Sequence, residues 1–151
     1  MNLKADLVVR AEMLIRRPVD EVFEAFVNPA VTSKFWFTRS SGPLIEGQSV
    51  TWYWDMYGVS GEVAVKAIEP NRRILIEWPA PVEWLFDDRR DGTTYVSIVA
   101  SGFSGSDDDK VAQAIDSQGG FSMTLAGCKA LLEHGIELNL VADHKPDAHV
   151  V

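Results

Sequence analysis

Between residues 5 and 15 the chain alternates strictly. Ala5, Leu7, Val9, Ala11, Met13 and Ile15 fall on one side, and Asp6, Arg10 and Glu12 on the other. A period of two with one apolar face predicts a half-buried strand. Arg17-Pro18 breaks it, because proline donates no hydrogen bond to a ladder. Pro18 suits the first turn of a helix, with Asp20, Glu21 and Glu24 near its positive end. Val19, Val22, Phe23, Phe26 and Val27 then recur at helical spacing until Asn28-Pro29 stops the run. A second short helix is predicted over 30–37, carrying Phe35, Trp36 and Phe37.

After Gly42-Pro43 the period returns to two. Over 49–57, Val50, Trp52, Trp54 and Met56 alternate with Thr51, Tyr53, Asp55 and Tyr57. Gly58 marks a tight turn, and Val59, Gly61, Val63, Val65 and Ala67 supply the matching face of the next strand. Beyond Pro70-Asn71, Ile74, Ile76 and Trp78 alternate with Leu75 and Glu77. Strands over 82–88 and 93–103 are joined through Asp91-Gly92, a hairpin signal. Short successive strands with tight turns predict an antiparallel meander.

The last long pattern, 107–135, is helical. Ser106 caps it and Asp107, Asp108 and Asp109 sit at its positive end. Val111, Ile115, Ser122, Leu125 and Leu132 make its apolar stripe, with Phe121, Cys128 and Leu131 beside it. Gly119-Gly120 should weaken or kink it, at about 1 kcal/mol per glycine relative to alanine. Gly135 is a natural stop. The fold class expected is α+β: a curved antiparallel sheet of about six strands wrapped around a long C-terminal helix, with two short helices after strand one. Residues 1–142 form a single domain and 143–151 a loosely ordered tail.

Composition narrows the function. A chain of 151 residues suits one core, and 46% hydrophobic with 24% charged residues is the balance of a globular protein. The net charge of -8 opposes binding to phosphate backbones, so no nucleic-acid partner is expected. The basic pairs Arg16-Arg17, Arg72-Arg73 and Arg89-Arg90 each stand beside a predicted turn, as solvated strand ends do. No apolar run approaches the roughly 20 residues of a membrane span. The segment MNLKADLVVRAEMLIRR lacks a small-residue cleavage site, so no signal peptide is expected. A lone Cys128 agrees with a reducing, cytoplasmic setting.

Candidate chemistry is sparse. His144 and His149 share the tail with Asp143 and Asp147, but their spacing fits no zinc pattern, and no metal or cofactor is expected. His134, in the last helical turn, complements the negative helix end. Cys128, on an apolar stripe, reads as a small buried residue rather than a nucleophile. No catalytic residue is assigned. Asp55 and Glu77 lie among aromatics: by alternation they face away from the tryptophans, with Lys66 or Arg73 as partners, and a bulge would instead turn them inward with raised pKa values. Tyr53, Tyr57, Tyr95 and Ser97 are further polar candidates. The rings of Phe23, Phe26, Trp36, Trp52, Trp54, Trp78, Trp84, Phe86 and Phe121 suit either a filled core or the walls of a cavity.

Four segments carry a resemblance: RRPVDEVFEAFVNPAVTSKFWF, ILIEW, GTTYVSIVASGFSG and GGFSMTLAGCKALLEHGIEL. With this element order the chain resembles the helix-grip superfamily of START lipid-transfer domains, plant allergen-type binding proteins and polyketide cyclases. More narrowly it is similar to the bacterial branch homologous to activators of the heat-shock-protein-90 ATPase. The resemblance implies a cavity between sheet and helix that holds a small apolar or aromatic molecule, with Phe23, Phe26, Trp36, Trp52, Trp54, Trp78, Trp84, Phe121 and Leu125 as contacts. It leaves two alternatives: a cyclase-like enzyme using a pocket carboxylate or tyrosine, and a protein-interaction module, homodimeric or co-chaperone-like.

Overall fold

The computed structural model describes residues 3–148. Its strands are β1 (Val9–Ile15), β2 (Arg39–Ser40), β3 (Ser49–Trp54), β4 (Val59–Glu69), β5 (Arg73–Trp78), β6 (Ala80–Asp88) and β7 (Thr94–Ala100). Helices α1 (Val19–Val27) and α2 (Pro29–Thr32) follow β1, while α3 (Asp107–His134) and α4 (Leu140–Asp143) come last. The strands form one antiparallel sheet in the order β1-β7-β6-β5-β4-β3-β2. From β2 to β7 each strand pairs with its successor, as a meander requires; β1 alone joins out of sequence, beside β7. The extra strand relative to the expected six is β2, two residues at the far rim and too short to leave a period.

Several local expectations are corrected. The second helix ends at Thr32, where Oγ1 donates to the carbonyl of Ala25 at 2.5 Å. Phe35, Trp36 and Phe37 then run through a turn, all three at most 9% exposed. Successive helical residues diverge by about 100°, so three adjacent aromatics reach one core only off the helix. The strand expected over 49–57 stops at Trp54, and Asp55–Tyr57 coil into a 3-10 turn that Gly58 closes at φ 61°. In β4 a bulge between Val65 and Ala67 shifts the phase. Ile68, opposite Ile74, therefore packs on the core where alternation had placed Ala67.

Helix α3 begins as its sequence indicates. Ser106 Oγ accepts from the Asp109 amide and Asp109 Oδ2 accepts from the Ser106 amide, a reciprocal cap. Gly135 ends it in the left-handed region at φ 67°. The helix runs unbroken through Gly119-Gly120. Its buried face is Phe121, Thr124, Leu125, Gly127 and Cys128, so the expected stripe is rotated: Ile115 is 69% exposed and Ser122 faces solvent. Gly127 permits the closest approach, since a Cβ there would lie 3.1 Å from Phe35 Cβ. Before Phe121 no residue of α3 is fully buried.

The free side of β1 is closed by α3. Gln118 Nε2 donates to the Arg10 carbonyl at 3.2 Å, and Lys129 Nζ to the Leu14 carbonyl at 2.8 Å. The Arg16 amide donates to Glu133 Oε2 at 2.8 Å. Side chains of the helix thus satisfy backbone groups that an outermost strand otherwise leaves unpaired. Cys128 lies fully buried on this helix, and burial, with the Glu21 charge adding, pushes its thiol well above the usual range. The native protein should therefore resist a thiol-specific reagent such as Ellman's, and release one equivalent only in denaturant.

Candidate functional site

The rings form one continuous cluster. Trp36 stands at its centre, with centroids 4.8 Å from Trp52, 5.9 Å from Trp54, 5.9 Å from Trp78, 6.0 Å from Trp84 and 6.2 Å from Phe121. Trp54 stacks on Trp78 at 5.3 Å and 11°. Phe26 joins Trp84 and Phe86 at about 6 Å, and Phe23 meets Phe86 edge-on. Leu125, one turn beyond Phe121 on α3, is 1% exposed. All nine residues singled out from the sequence are therefore brought together, eight of them buried and Trp78 partly so. Tight packing leaves open space beside them rather than in their midst: a hollow of about 170 Å³ bordered by residues 33–38 and 137–142 and, apart from it, a larger space under α3.

That space is a cleft where the first half of α3 overhangs β5, β6 and β7. Its larger part, about 270 Å³, is lined by Trp78, Val82, Ala100, Phe103 and Phe121, with Gln113, Asp116 and Ser117 at the helix rim. An adjoining recess of about 140 Å³ is lined by Trp36, Trp78, Asp116, Ser117, Gly120 and Phe121. Of the nine residues, Trp36, Trp78 and Phe121 face the cleft, and the other six stand behind or beside these three. Gly61 holds Trp78 in place by having no side chain, since a Cβ there would fall 2.5 Å from Trp78 Nε1. The sequence reading missed Phe103, Val82, Ala100 and the polar rim. Phe103 lies just past the last strand, where alternation no longer indicates direction.

The polar candidates lie elsewhere. Asp55 accepts from Arg39 Nε at 3.0 Å, and Glu77 bridges Lys66 at 3.7 Å, both carboxylates about half exposed on the outer side. The Lys66 partnership is the expected one for Glu77; Asp55 takes Arg39 instead of Lys66 or Arg73, because the 3-10 turn carries it toward β2. The β4 bulge does not turn Glu77 inward, for its register with Ala64 lies on the other side of the irregularity. Tyr53 lies under the Arg39 guanidinium at 3.7 Å, and Ser97 donates to Glu12 at 3.2 Å. The Tyr57 hydroxyl donates to the Val141 carbonyl, tying α4 to the sheet. Tyr95 sits beneath Arg89 at 5.0 Å. None of these six groups lines the cleft.

Among the described residues no group of three metal-ligating side chains exists; His149 lies outside those residues. Nor is any helix of the described residues long and apolar enough to cross a membrane. His134 Nε2 lies 4.0 Å from Glu133 Oε1 in the last turn of α3.

A curved antiparallel sheet holding one long helix, with a cleft between them, defines the helix-grip class. The chain belongs to the family of Activator of Hsp90 ATPase homolog 1-like proteins, whose model matches residues 16–133. Among solved structures it is similar to protein SSP2350 of Staphylococcus saprophyticus, with 26% identity over 87% of this chain and 96% of that one, at a TM-score of 0.77. It is similar in fold to DynU16, from the dynemicin biosynthetic locus, at 21% identity and a TM-score of 0.77, covering 88% of this chain and 49% of that one. The Aha1 dimer of Colwellia psychrerythraea shares the fold at 14% identity and a TM-score of 0.74, over 85% of this chain and 98% of that one. No curated protein matches the sequence.

Proposed function

We propose that this protein binds a small, largely apolar or aromatic molecule in the cleft between β5–β7 and the first half of α3, working in the cytoplasm. One observation carries the reading: α3 buries nothing fully before Phe121, although the sheet beneath it presents Trp78, Val82 and Ala100. An apolar sheet face overhung but not filled by its helix is a container for a guest. Burial would drive binding, at about 25 cal/mol per Å² of apolar surface removed from water. The few convergent polar groups at the rim are what orient a ligand in such sites. A cyclase-like role needs a carboxylate or tyrosine over the guest; Asp55, Glu77, Tyr53 and Tyr95 face away, and Asp116, the carboxylate that borders the cleft, is exposed at its rim, so binding is the reading supported best. Self-association is the second reading, favoured by the Colwellia relative's description as a dimer.

Gly120 offers the test. A Cβ there meets nothing within 4 Å, and the residue lines the recess. Gly120→Ala should retain binding of the neutral fluorophore N-phenyl-1-naphthylamine, whereas Gly120→Leu, which projects a branched side chain into the recess, should weaken it at least tenfold. Both variants should be more stable than the parent by up to about 1 kcal/mol, since each removes a helix-interior glycine. Unchanged fluorophore affinity in a folded Gly120→Leu protein would place the binding site elsewhere.

A further inference from the structure

The recess beside Gly120 has a composition unlike the rest of the cleft. Of its six lining residues, three are aromatic, Trp36, Trp78 and Phe121, and one is a carboxylate, Asp116. The walls are set at steep angles: Trp36 meets Trp78 at 78° and Phe121 at 65°. Asp116 borders both the recess and the larger hollow, and it forms no ion pair among the described residues. No lysine or arginine lines either part of the cleft. Among the described residues the two cations that lie over rings, Arg39 and Arg89, do so at Tyr53 and Tyr95, away from this place.

Each of these facts favours the same kind of guest. Ring faces carry negative potential and attract a cation, most strongly when it sheds little water in approaching. An alkylated ammonium is such a cation, since its methyl groups present an apolar surface that suits indole and phenyl walls. The Asp116 carboxylate at the rim supplies the opposite charge, and the chain's net charge of -8 reinforces it at longer range. A free carboxylate or phosphate on the guest would meet Asp116 with no basic side chain to receive it. We infer that the cleft selects molecules bearing an alkylammonium group, the cationic head seated in the recess that Trp36, Trp78 and Phe121 line, beside Asp116, and the apolar remainder lying along Val82 and Phe103. This inference rests on the cleft being the binding site and adds the charge and shape of what enters it.

Phenyltrimethylammonium and tert-butylbenzene have nearly the same shape and differ in charge, so together they separate the two claims. Titrated into the purified protein and followed by tryptophan fluorescence, the cation should bind about tenfold more tightly than the hydrocarbon. The ratio should shrink several-fold in Asp116→Asn, a change at an exposed position that leaves the melting temperature unaltered, and also as salt is raised. Choline should likewise outcompete phosphocholine, because the phosphate finds no cation. Equal affinity for the two probes, or preference for the hydrocarbon, would overturn the inference and leave the container intact. Tighter binding of phosphocholine than of choline, or a ratio untouched in Asp116→Asn, would also overturn it. If neither probe binds at millimolar concentration, the cleft itself is not a binding site and both readings fall.

Discussion

Trp36→Ala should lower the free energy of unfolding by about 3–5 kcal/mol, the cost expected for truncating a large buried aromatic. Trp36 is 9% exposed and its ring lies within 6.2 Å, centroid to centroid, of Phe37, Trp52, Trp54, Trp78, Trp84 and Phe121. Apart from Phe37, next to it in the chain, those neighbours come from β3, β5, β6 and α3, so the ring joins elements far apart in the chain, and one deletion loosens all of them. The void cannot close without moving several tryptophans, whose rigid rings relax little. A loss of this size is a large share of the 5–15 kcal/mol that ordinary domains possess. Urea unfolding followed by circular dichroism checks it, and the midpoint should fall while the slope stays constant. Trp36→Phe should recover much of the loss by refilling part of the space. A loss of unfolding free energy below about 1 kcal/mol for the alanine variant would show that the cluster is plastic rather than interlocked.

Glu133→Ala should cost about 2–3 kcal/mol, because it removes a shielded carboxylate that serves two charged or backbone donors at once. Its side chain is 9% exposed, and it accepts from the Arg16 amide at 2.8 Å and from Lys129 Nζ at 2.6 Å. Burial alone would raise its pKa; the hydrogen bond from Arg16 and the pairing with Lys129 outweigh that, and the carboxyl titrates below its ordinary 4.5. The unfolded chain then binds this proton more readily than the folded one does. The contribution is fully present above about pH 4.5 and is lost as pH falls through the lower native value. Wild-type stability should accordingly drop more steeply with acidification in that window than the stability of Glu133→Gln. Parallel acid profiles would show that the pairing carries no net folding energy.

What was readable in the sequence divides along physical lines. Strands with one wet face announce themselves by period two, so β1, β3 and β5 were found with their buried faces in the right sense. The caps of α3 were equally plain, since Ser106 and Gly135 act through their own local chemistry. Three kinds of feature were not. Phe35, Trp36 and Phe37 look helical by neighbourhood, yet burying three successive rings demands a turn. The bulge at Val65 is decided by pairing with β5, which no window along β4 contains. The face of α3 was misjudged because its first half lacks a buried stripe and Ile115 was counted as one. The same absence leaves the cleft open, so the site lay where the helical pattern was weakest. Its aromatic floor could be named in advance, but Asp116, Ser117 and Phe103 come together only once helix and sheet have docked.

The stitching of α3 to β1 has a mechanical consequence. Gln118, Lys129 and Glu133 fasten the helix along its later turns, whereas the stretch from Asp107 to Ser117 buries no side chain fully and is held by its cap, by a bridge from Gln113 to Ser104 and by the Leu3 amide, which donates to Asp107 Oδ2 at 2.7 Å. Breathing of the helix should therefore swing it like a door hung at its far end, widening the gap over Trp78 and Phe121 first, the opening that the proposed binding would need. Amide hydrogen exchange should record this as a gradient, fast near Lys110 and slow past Phe121, which flattens when a guest is held. Cutting the hinge rather than the latch would have a different outcome. With Glu133 or Lys129 gone, the Arg16 amide or the Leu14 carbonyl would stand bare at the outer rim, a foothold from which one copy of the chain should begin to pair with the next.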